Sequence, residues 1–104
     1  MPMIERSEAE LLKKWNDHED FIVFFYSPFC GTCKLAERML DILLKAHAHL
    51  SVLKTNILYT PKLTQMWKIE SIPCLAFVKR DHSIKKEYAL RSIDHLLQLL
   101  SAEA

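Results

Sequence analysis

Two cysteines three positions apart are the residues of this chain best suited to covalent chemistry. Cys30 and Cys33 enclose Gly31 and Thr32 in a C-x-x-C motif, and Cys74 is the third cysteine of the 104 residues. Thiolates attack disulfides and bind metals, so this spacing serves thiol–disulfide exchange, zinc sites and iron–sulfur sites. The motif alone is therefore compatible with both redox chemistry and metal binding. Its position in the fold is needed to distinguish the two.

The pattern around the motif predicts that it joins a buried strand to a long helix. Residues 21–26 (FIVFFY) form a continuous apolar, β-prone run, which is typical of a central strand covered on both faces. Ser27 and Pro28 end this run, and over about 33–49 apolar residues recur at helical spacing. We expect Cys30 at the N-terminus of this helix, where free backbone N–H groups and the helix dipole favour a thiolate.

This placement predicts different roles for the two thiols. Cys30 is the expected nucleophile, because a lowered pKa raises the fraction of thiolate at neutral pH. Cys33 lies one helical turn further on, shielded by the first turn and placed to attack a mixed disulfide on Cys30. Gly31 is the only glycine in the chain, and we predict that the backbone comes close to another chain there.

The remaining patterns predict three further helices and three further strands. Ser7 and Glu10 form a capping box that begins a first helix, over about 7–17. The other predicted elements are a strand at 51–57, a short helix from Pro61 through Trp67, a strand at 74–78, an edge strand at 85–90, and a closing helix from Ile93 with Ser92 as its N-cap. The order α, β, α, β, α, β, β, α implies an α/β sandwich with a parallel portion and a terminal antiparallel hairpin.

Composition limits the classes of protein to which the chain can belong. Its 104 residues suffice for one domain, which we expect to span 1–104, and half of them are hydrophobic. The net charge of +1 supplies no basic face for nucleic acid. We find no secretory signal and no apolar run of about 20 residues that could span a bilayer. The expectation is a soluble cytoplasmic protein with neither nucleic acid nor membrane as a partner.

Over nearly its whole length the chain resembles the thioredoxin family. The resemblance lies in the apolar strand, the aromatic Phe29 before the motif, the run Cys30-Gly31-Thr32-Cys33-Lys34, and Ser71-Ile72-Pro73 at the entry to a later strand. It implies a thioredoxin-like three-layer α/β/α sandwich with a central mixed sheet. It also implies a thiol–disulfide oxidoreductase in which a cis peptide bond precedes Pro73.

By the same resemblance, substrate binds beside the redox pair. The resemblance assigns Ile72 and Pro73 to orienting the substrate strand. From its place beside the motif, Phe29 is expected to form an apolar rim that receives substrate, and Gly31 and Thr32 are expected to complete the contact. The expected substrates are disulfide-containing proteins or small thiols, and the electrons come from a reductase or a low-molecular-weight thiol. We expect a monomer that needs no cofactor and no metal.

Three positions compare informatively with the family pattern. Thioredoxins usually carry a buried acidic residue six positions before the first cysteine, where it assists proton transfer, whereas this chain has Phe24. That assistance is expected to be missing. Thr32 replaces the proline common between the cysteines and can place a hydroxyl near the sulfurs, while Lys54 matches a lysine of many thioredoxins. The chain is therefore predicted to be thioredoxin-like rather than a general thioredoxin served by thioredoxin reductase.

Two other functions stay open on the sequence. The first is a non-catalytic binding module with the thioredoxin fold, docking a protein on a patch of Tyr26, Phe29 and Ile72. The second is a metal or iron–sulfur carrier in which Cys30, Cys33 and Cys74 are joined by a histidine or an exogenous thiol. For Cys74 we favour a structural role as a small buried apolar residue.

Overall fold

The sequence forms a five-stranded mixed sheet with helices on both faces. The structure is a computed structural model that describes residues 3–103. Its elements are β1 (Ile4–Glu5), α1 (Glu8–Asn16), β2 (Phe21–Tyr26), α2 (Gly31–Ala46), β3 (Leu53–Asn56), a 3-10 turn (Ile57–Tyr59), α3 (Pro61–Met66), β4 (Cys74–Val78), β5 (Ile84–Glu87) and α4 (Ile93–Glu103).

The strand order places the end of β2 beside the start of β4. The order across the sheet is β1-β3-β2-β4-β5. Strands β1, β3 and β2 are parallel, β4 pairs antiparallel with β2, and β5 pairs antiparallel with β4. Phe25 is paired with Cys74 across the β2–β4 ladder. The segment after β2 carries the C-x-x-C motif, and Ile72-Pro73 immediately precedes β4. The fold therefore brings both segments to one edge of the sheet.

Side-chain alternation along β2 divides the core into two layers. Val23 and Phe25 face one side, where they pack with residues of α1 and α3 such as Leu11 and Leu63. Phe24 faces the other side, in a cluster built largely from α2 and α4. Because successive strand residues point to opposite faces, one continuous apolar strand supplies both clusters. The predicted three-layer α/β/α sandwich with a mixed sheet is confirmed.

The bounds of the two most buried strands were predicted correctly, and so were two helix caps. Strands β2 and β4 have the predicted limits. The capping box is formed, since the Glu10 N–H donates to Ser7 Oγ and the Ser7 N–H donates to Glu10 Oε1. Ser92 Oγ accepts from the N–H of His95 at the start of α4. These elements follow from strong local patterns.

Other bounds differ from the prediction. Strand β1 was missed, because two exposed residues carry no hydrophobic pattern. Helix α2 covers 31–46 rather than 33–49, since the side chain of Cys30 caps it from one residue before Gly31. Strand β3 is shorter than 51–57, and α3 ends before Trp67, which is its C-cap.

The edge strand ends at Glu87 rather than at residue 90. Glu87 is paired with Leu75, and β4 begins only one residue earlier, at Cys74, so residues 89 and 90 have no partner strand opposite them. Helix α2 is 16 residues long, and within 3–103 no helix combines the length and the apolar character needed to cross a membrane.

Candidate active site

The motif lies at the point where the chain turns from β2 into α2. The Cys30 N–H donates to the Ser27 carbonyl at 3.2 Å, and the Phe29 N–H donates to Ser27 Oγ at 3.2 Å. Cys30 is the N-cap residue of α2, and its Sγ accepts a hydrogen bond from the backbone N–H of Cys33 at 3.2 Å. In this arrangement a sulfur takes the place of the hydroxyl or carboxylate oxygen that usually caps a helix. A negative charge on that sulfur is stabilised by the N-terminus of the helix.

Thr32 adds a second hydrogen-bond partner for the Cys30 sulfur. Its Oγ1 lies 3.2 Å from Cys30 Sγ, which confirms the prediction that this hydroxyl can lie near the sulfurs. Burial alone raises the pKa of Cys30, but hydrogen bonds from the Cys33 thiol, the Thr32 hydroxyl and the backbone of both residues outweigh it, so the pKa is lowered. Cys30 is thus the thiol that ionises more readily.

Cys33 has the opposite character. Its side chain is 2 % exposed and packs in the cluster that contains Phe24 and Leu40. Burial, and then the hydrogen bond to Cys30, raise the pKa of Cys33 to about 11, and the negative charge of Glu37 adds to the rise. Both cysteines are free thiols in this structure. The pair therefore combines an accessible, acidic thiol with a shielded thiol that holds its proton.

Exposed residues surround the reactive sulfur. Phe29 is 88 % exposed, and Pro28 and Gly31 are exposed as well. A Cβ added at Gly31 would have no heavy atom within 4 Å, so the fold itself does not require a glycine there. Tyr26 differs from these residues, because it is half-buried and its hydroxyl donates a hydrogen bond to the Glu5 carboxylate.

The second segment at this edge is Ile72-Pro73, whose peptide bond is cis. Ile72 is half-buried and packs against both core clusters, and Cys30 packs against the cluster that contains Cys33. The segment preceding β4 therefore shares the sheet edge with the motif.

Cys74 belongs to the opposite face of the sheet from Cys33. It is fully buried among residues such as Phe25 and Trp67, and burial raises the pKa of this thiol to about 12. Within 3–103, no three side chains of histidine, cysteine, aspartate or glutamate are grouped so that they could hold a metal ion. The three-cysteine metal set that the sequence left open is thus not assembled.

An ion pair lies on the face of the sheet that α2 covers, the face to which Cys33 also belongs. Phe24 is fully buried there. Its neighbour in the β2–β3 register is Lys54, whose Nζ donates to Glu37 Oε2 at 2.6 Å and lies 5.8 Å from the centroid of the Tyr26 ring. Lys54 was expected from the sequence, whereas Glu37 was missed. The available signal was that Glu37 lies four residues after Cys33 on the helix, a spacing that puts both on one face.

Comparisons with known proteins agree with this geometry. The thioredoxin family model matches residues 3–102. The chain is 32 % identical over 105 residues to thioredoxin-like protein YusE of Bacillus subtilis, covering 98 % of this chain and 94 % of that protein. It is 28 % identical over 80 residues to the thioredoxin of Chlamydia trachomatis, covering 77 % and 78 % of the two chains. The crystal structure of chloroplastic thioredoxin z superposes with a TM-score of 0.79 at 18 % identity, covering 98 % of this chain and 94 % of that one.

Proposed function

Because the chain belongs to the thioredoxin family, we propose that it is a thiol–disulfide oxidoreductase in which Cys30 attacks and Cys33 resolves. The observation that carries the proposal is the contrast between the two sulfurs. Cys30 caps α2 and has a lowered pKa, whereas Cys33 is buried and has a raised one. Sequential exchange requires a nucleophile that ionises more readily and a second thiol that keeps its proton until the mixed disulfide has formed.

The exchange has two steps. The Cys30 thiolate attacks one sulfur of the substrate disulfide, forming a mixed disulfide and releasing the other substrate sulfur as a thiolate. Cys33 then loses its proton and attacks Cys30 Sγ, which forms the Cys30–Cys33 disulfide and releases the second substrate thiolate. The substrate gains two electrons and the cysteine pair is oxidised. A donor must reduce the pair again before the next cycle.

The substrate would lie across the sheet edge that holds both segments. Phe29 offers an exposed aromatic surface next to Cys30, and Gly31 leaves space for the backbone of another chain. We assign Ile72 and Pro73 to the other side of the substrate and Thr32 to the contact at the sulfur. A disulfide-containing protein or a small disulfide fits this open surface.

We further propose the setting in which the protein acts. In this proposal residues 1–104 form a single domain that works as a monomer in the cytoplasm, where reducing conditions keep a C-x-x-C pair available. The electron donor is a reductase or a low-molecular-weight thiol.

The binding-module alternative receives less support from the structure. Tyr26, one of the three residues of its docking patch, is half-buried and bonded to Glu5, and a docking role alone gives no reason for two thiols of opposite acidity. The metal-carrier alternative loses its third cysteine, because Cys74 lies in the other core cluster.

An equilibrium redox titration tests the proposal. The protein is incubated with mixtures of reduced and oxidised glutathione or dithiothreitol, and each cysteine is then read by alkylation and mass spectrometry, with Cys74 followed separately. We expect a two-electron transition confined to Cys30 and Cys33. A reduction potential of about −270 mV would favour a reductant. A potential between roughly −180 and −120 mV would favour an oxidant or isomerase. If no reversible disulfide forms between the pair, the enzyme assignment is wrong.

A further inference from the structure

The resolving step requires that a buried thiol gives up its proton. Cys33 is 2 % exposed, in an apolar cluster, and its pKa is raised to about 11. At neutral pH only a very small fraction of such a thiol is ionised, and water has little access to it. A base next to Cys33 would remove this barrier, because a carboxylate that receives the proton during attack lowers the cost of forming the thiolate.

Glu37 is placed to be that base. It lies four residues after Cys33 on α2, so the two side chains are neighbours on one face of the helix. The negative charge of Glu37 acts on the Cys33 thiol, because electrostatic repulsion of the thiolate by Glu37 helps to raise the pKa of Cys33. Glu37 is itself only partly accessible, with 28 % of its side chain exposed.

Lys54 fixes the carboxylate in this position. Its Nζ donates to Glu37 Oε2 at 2.6 Å, and its own side chain is 24 % exposed. Lys54 is next to Phe24 in the strand register, so it extends from the sheet on the side that α2 covers. Hydrogen bonding to Glu37 raises the pKa of Lys54, which keeps the ammonium charged at neutral pH.

Two other carboxylates act on this pair through Lys54, and one of them, Glu5, is next to Lys54 in the strand register. From β1, Glu5 accepts a hydrogen bond from the hydroxyl of Tyr26 on β2. From α2, Asp41 acts on Lys54 through its charge, as Glu5 does. The Cys33 thiol additionally faces the Cys30 thiol and the backbone of Ser27. Among the groups that act on Cys33, Glu37 is the carboxylate, and its side chain is partly exposed to solvent.

We propose that Glu37 accepts the proton of Cys33 in the resolving step and that Lys54 is the positioning residue that holds Glu37 for it. The proposal rests on the proposed function. The S–H bond of Cys33 breaks as its proton passes to the Glu37 carboxylate, and the electron pair left on Cys33 Sγ forms the bond to Cys30 Sγ. The bond between Cys30 and the substrate sulfur breaks, and the substrate leaves as a thiolate. Glu37 then returns the proton to solvent.

A single-turnover experiment separates this step from the first attack. Reduced protein is mixed in a stopped-flow instrument with one equivalent of 5,5′-dithiobis(2-nitrobenzoate), at pH values from 6 to 9. The first release of thionitrobenzoate reports the attack by Cys30, and the second reports the attack by Cys33. For Glu37→Gln we expect the second release to slow by about 100-fold at pH 7, the lower end of general-base effects, while the first is unchanged. In Glu37→Gln the rate of the second release should increase with pH more steeply than in the wild type, because hydroxide replaces the lost base.

Three variants make the interpretation specific. Asp41→Asn removes the same charge from the same helix, near the same lysine, and should leave the second release unchanged. Lys54→Met should slow it by less than Glu37→Gln, because the carboxylate is present but no longer held. Glu37→Asp keeps a carboxylate on a shorter side chain and should restore part of the rate, which also covers the case in which Glu37→Gln folds poorly.

Two results would count against these assignments in different ways. If Glu37→Gln releases the second equivalent as fast as the wild type, or faster, Glu37 only repels the thiolate and the proton acceptor is elsewhere. If the wild-type protein itself shows no second release, the proposed exchange reaction fails, and the role of Glu37 fails with it.

Discussion

The backbone N–H of Cys33 donates a hydrogen bond to Sγ of Cys30 at 3.2 Å. The buried cysteine of the pair thus helps, through its main chain, to stabilise a negative charge on the half-buried one. It does so because Cys30 is the N-cap of α2, so the start of the helix and the reactive position are one structural feature. The acidity of Cys30 therefore depends on the N-terminus of α2 and on the core that supports that helix.

Serine at either cysteine should separate the two steps. Cys30→Ser removes the nucleophile, and we expect no exchange with any disulfide. Cys33→Ser keeps the nucleophile but has no thiol to resolve the adduct, so a stable mixed disulfide with substrate should accumulate. Mass spectrometry of the protein after reaction with a model disulfide measures both. Full multiple turnover by Cys33→Ser would show that the roles are assigned wrongly.

The hydroxyl of Thr32 should contribute to the acidity of Cys30. Thr32→Val removes the contact at 3.2 Å at nearly constant volume, so the pKa of Cys30 should rise and alkylation by iodoacetamide at pH 7 should slow severalfold. Thr32→Ser keeps the hydroxyl and serves as the control. The measurement is the alkylation rate of Cys30 as a function of pH. Equal profiles for valine and threonine would exclude the hydrogen bond as a cause.

Two phenylalanines that precede the motif should respond differently to replacement by alanine. Phe24 is fully buried, and Phe24→Ala should reduce the free energy of unfolding by about 3–5 kcal/mol. That loss corresponds to a melting temperature lower by roughly 15 °C or more. Phe29 is 88 % exposed, so Phe29→Ala should change stability by less than about 0.5 kcal/mol while slowing exchange with a protein disulfide. Urea denaturation and an insulin-type reduction assay measure the two effects, and a stability loss at Phe29 would contradict its exposed position.

The reduced protein should lose stability as the pH rises above about 8.5. Cys33 and Cys74 have pKa values raised to about 11 and about 12, whereas unfolded thiols ionise near 8.5. Above that pH the unfolded chain binds fewer protons than the folded one, so the free energy of unfolding falls by up to about 1.4 kcal/mol per pH unit for each thiol. The lowered pKa of Cys30 acts in the other direction, as stability gained on passing upward through its folded value.

Urea denaturation in dithiothreitol at pH 7.5, 8.5 and 9.5 checks this dependence. Cys74→Ala should make the slope shallower, because one of the two buried thiols is gone. A free energy of unfolding that stays constant over this interval would show that both thiols titrate normally in the folded protein.

Much of the fold could be predicted because its central strands and its helix caps are encoded locally. The run 21–26 and the run 74–78 are apolar from end to end and flanked by polar or proline residues, and both strand limits are confirmed. The placement of the motif followed in turn, since a strand that ends at Tyr26 and a helix that begins soon afterwards leave Cys30 at the helix N-terminus. The pattern at these places is dominated by burial, which the sequence shows directly.

The features that were missed depend on partners distant in sequence. Strand β1 exists because Ile4 pairs with Leu53, and two residues hold no pattern of their own. The ion pair between Glu37 and Lys54 joins positions 17 residues apart. Lys54 could be noticed because it matches a lysine of the family, but its partner depends on how α2 lies over β3. Pairings of this kind require the packed structure.

Because Cys74 is separated from the redox pair, its reactivity can report when the layer of α1 and α3 opens away from the sheet. Buried on the far face of the sheet with a pKa of about 12, this thiol reacts with an alkylating reagent only when the layer of α1 and α3 lifts from the sheet. Its labelling rate in a chain whose Cys30 and Cys33 are already linked therefore measures local or global unfolding under native conditions. Two processes can therefore be followed separately in one molecule. Cys30 and Cys33 report disulfide exchange, and Cys74 reports transient opening of the core.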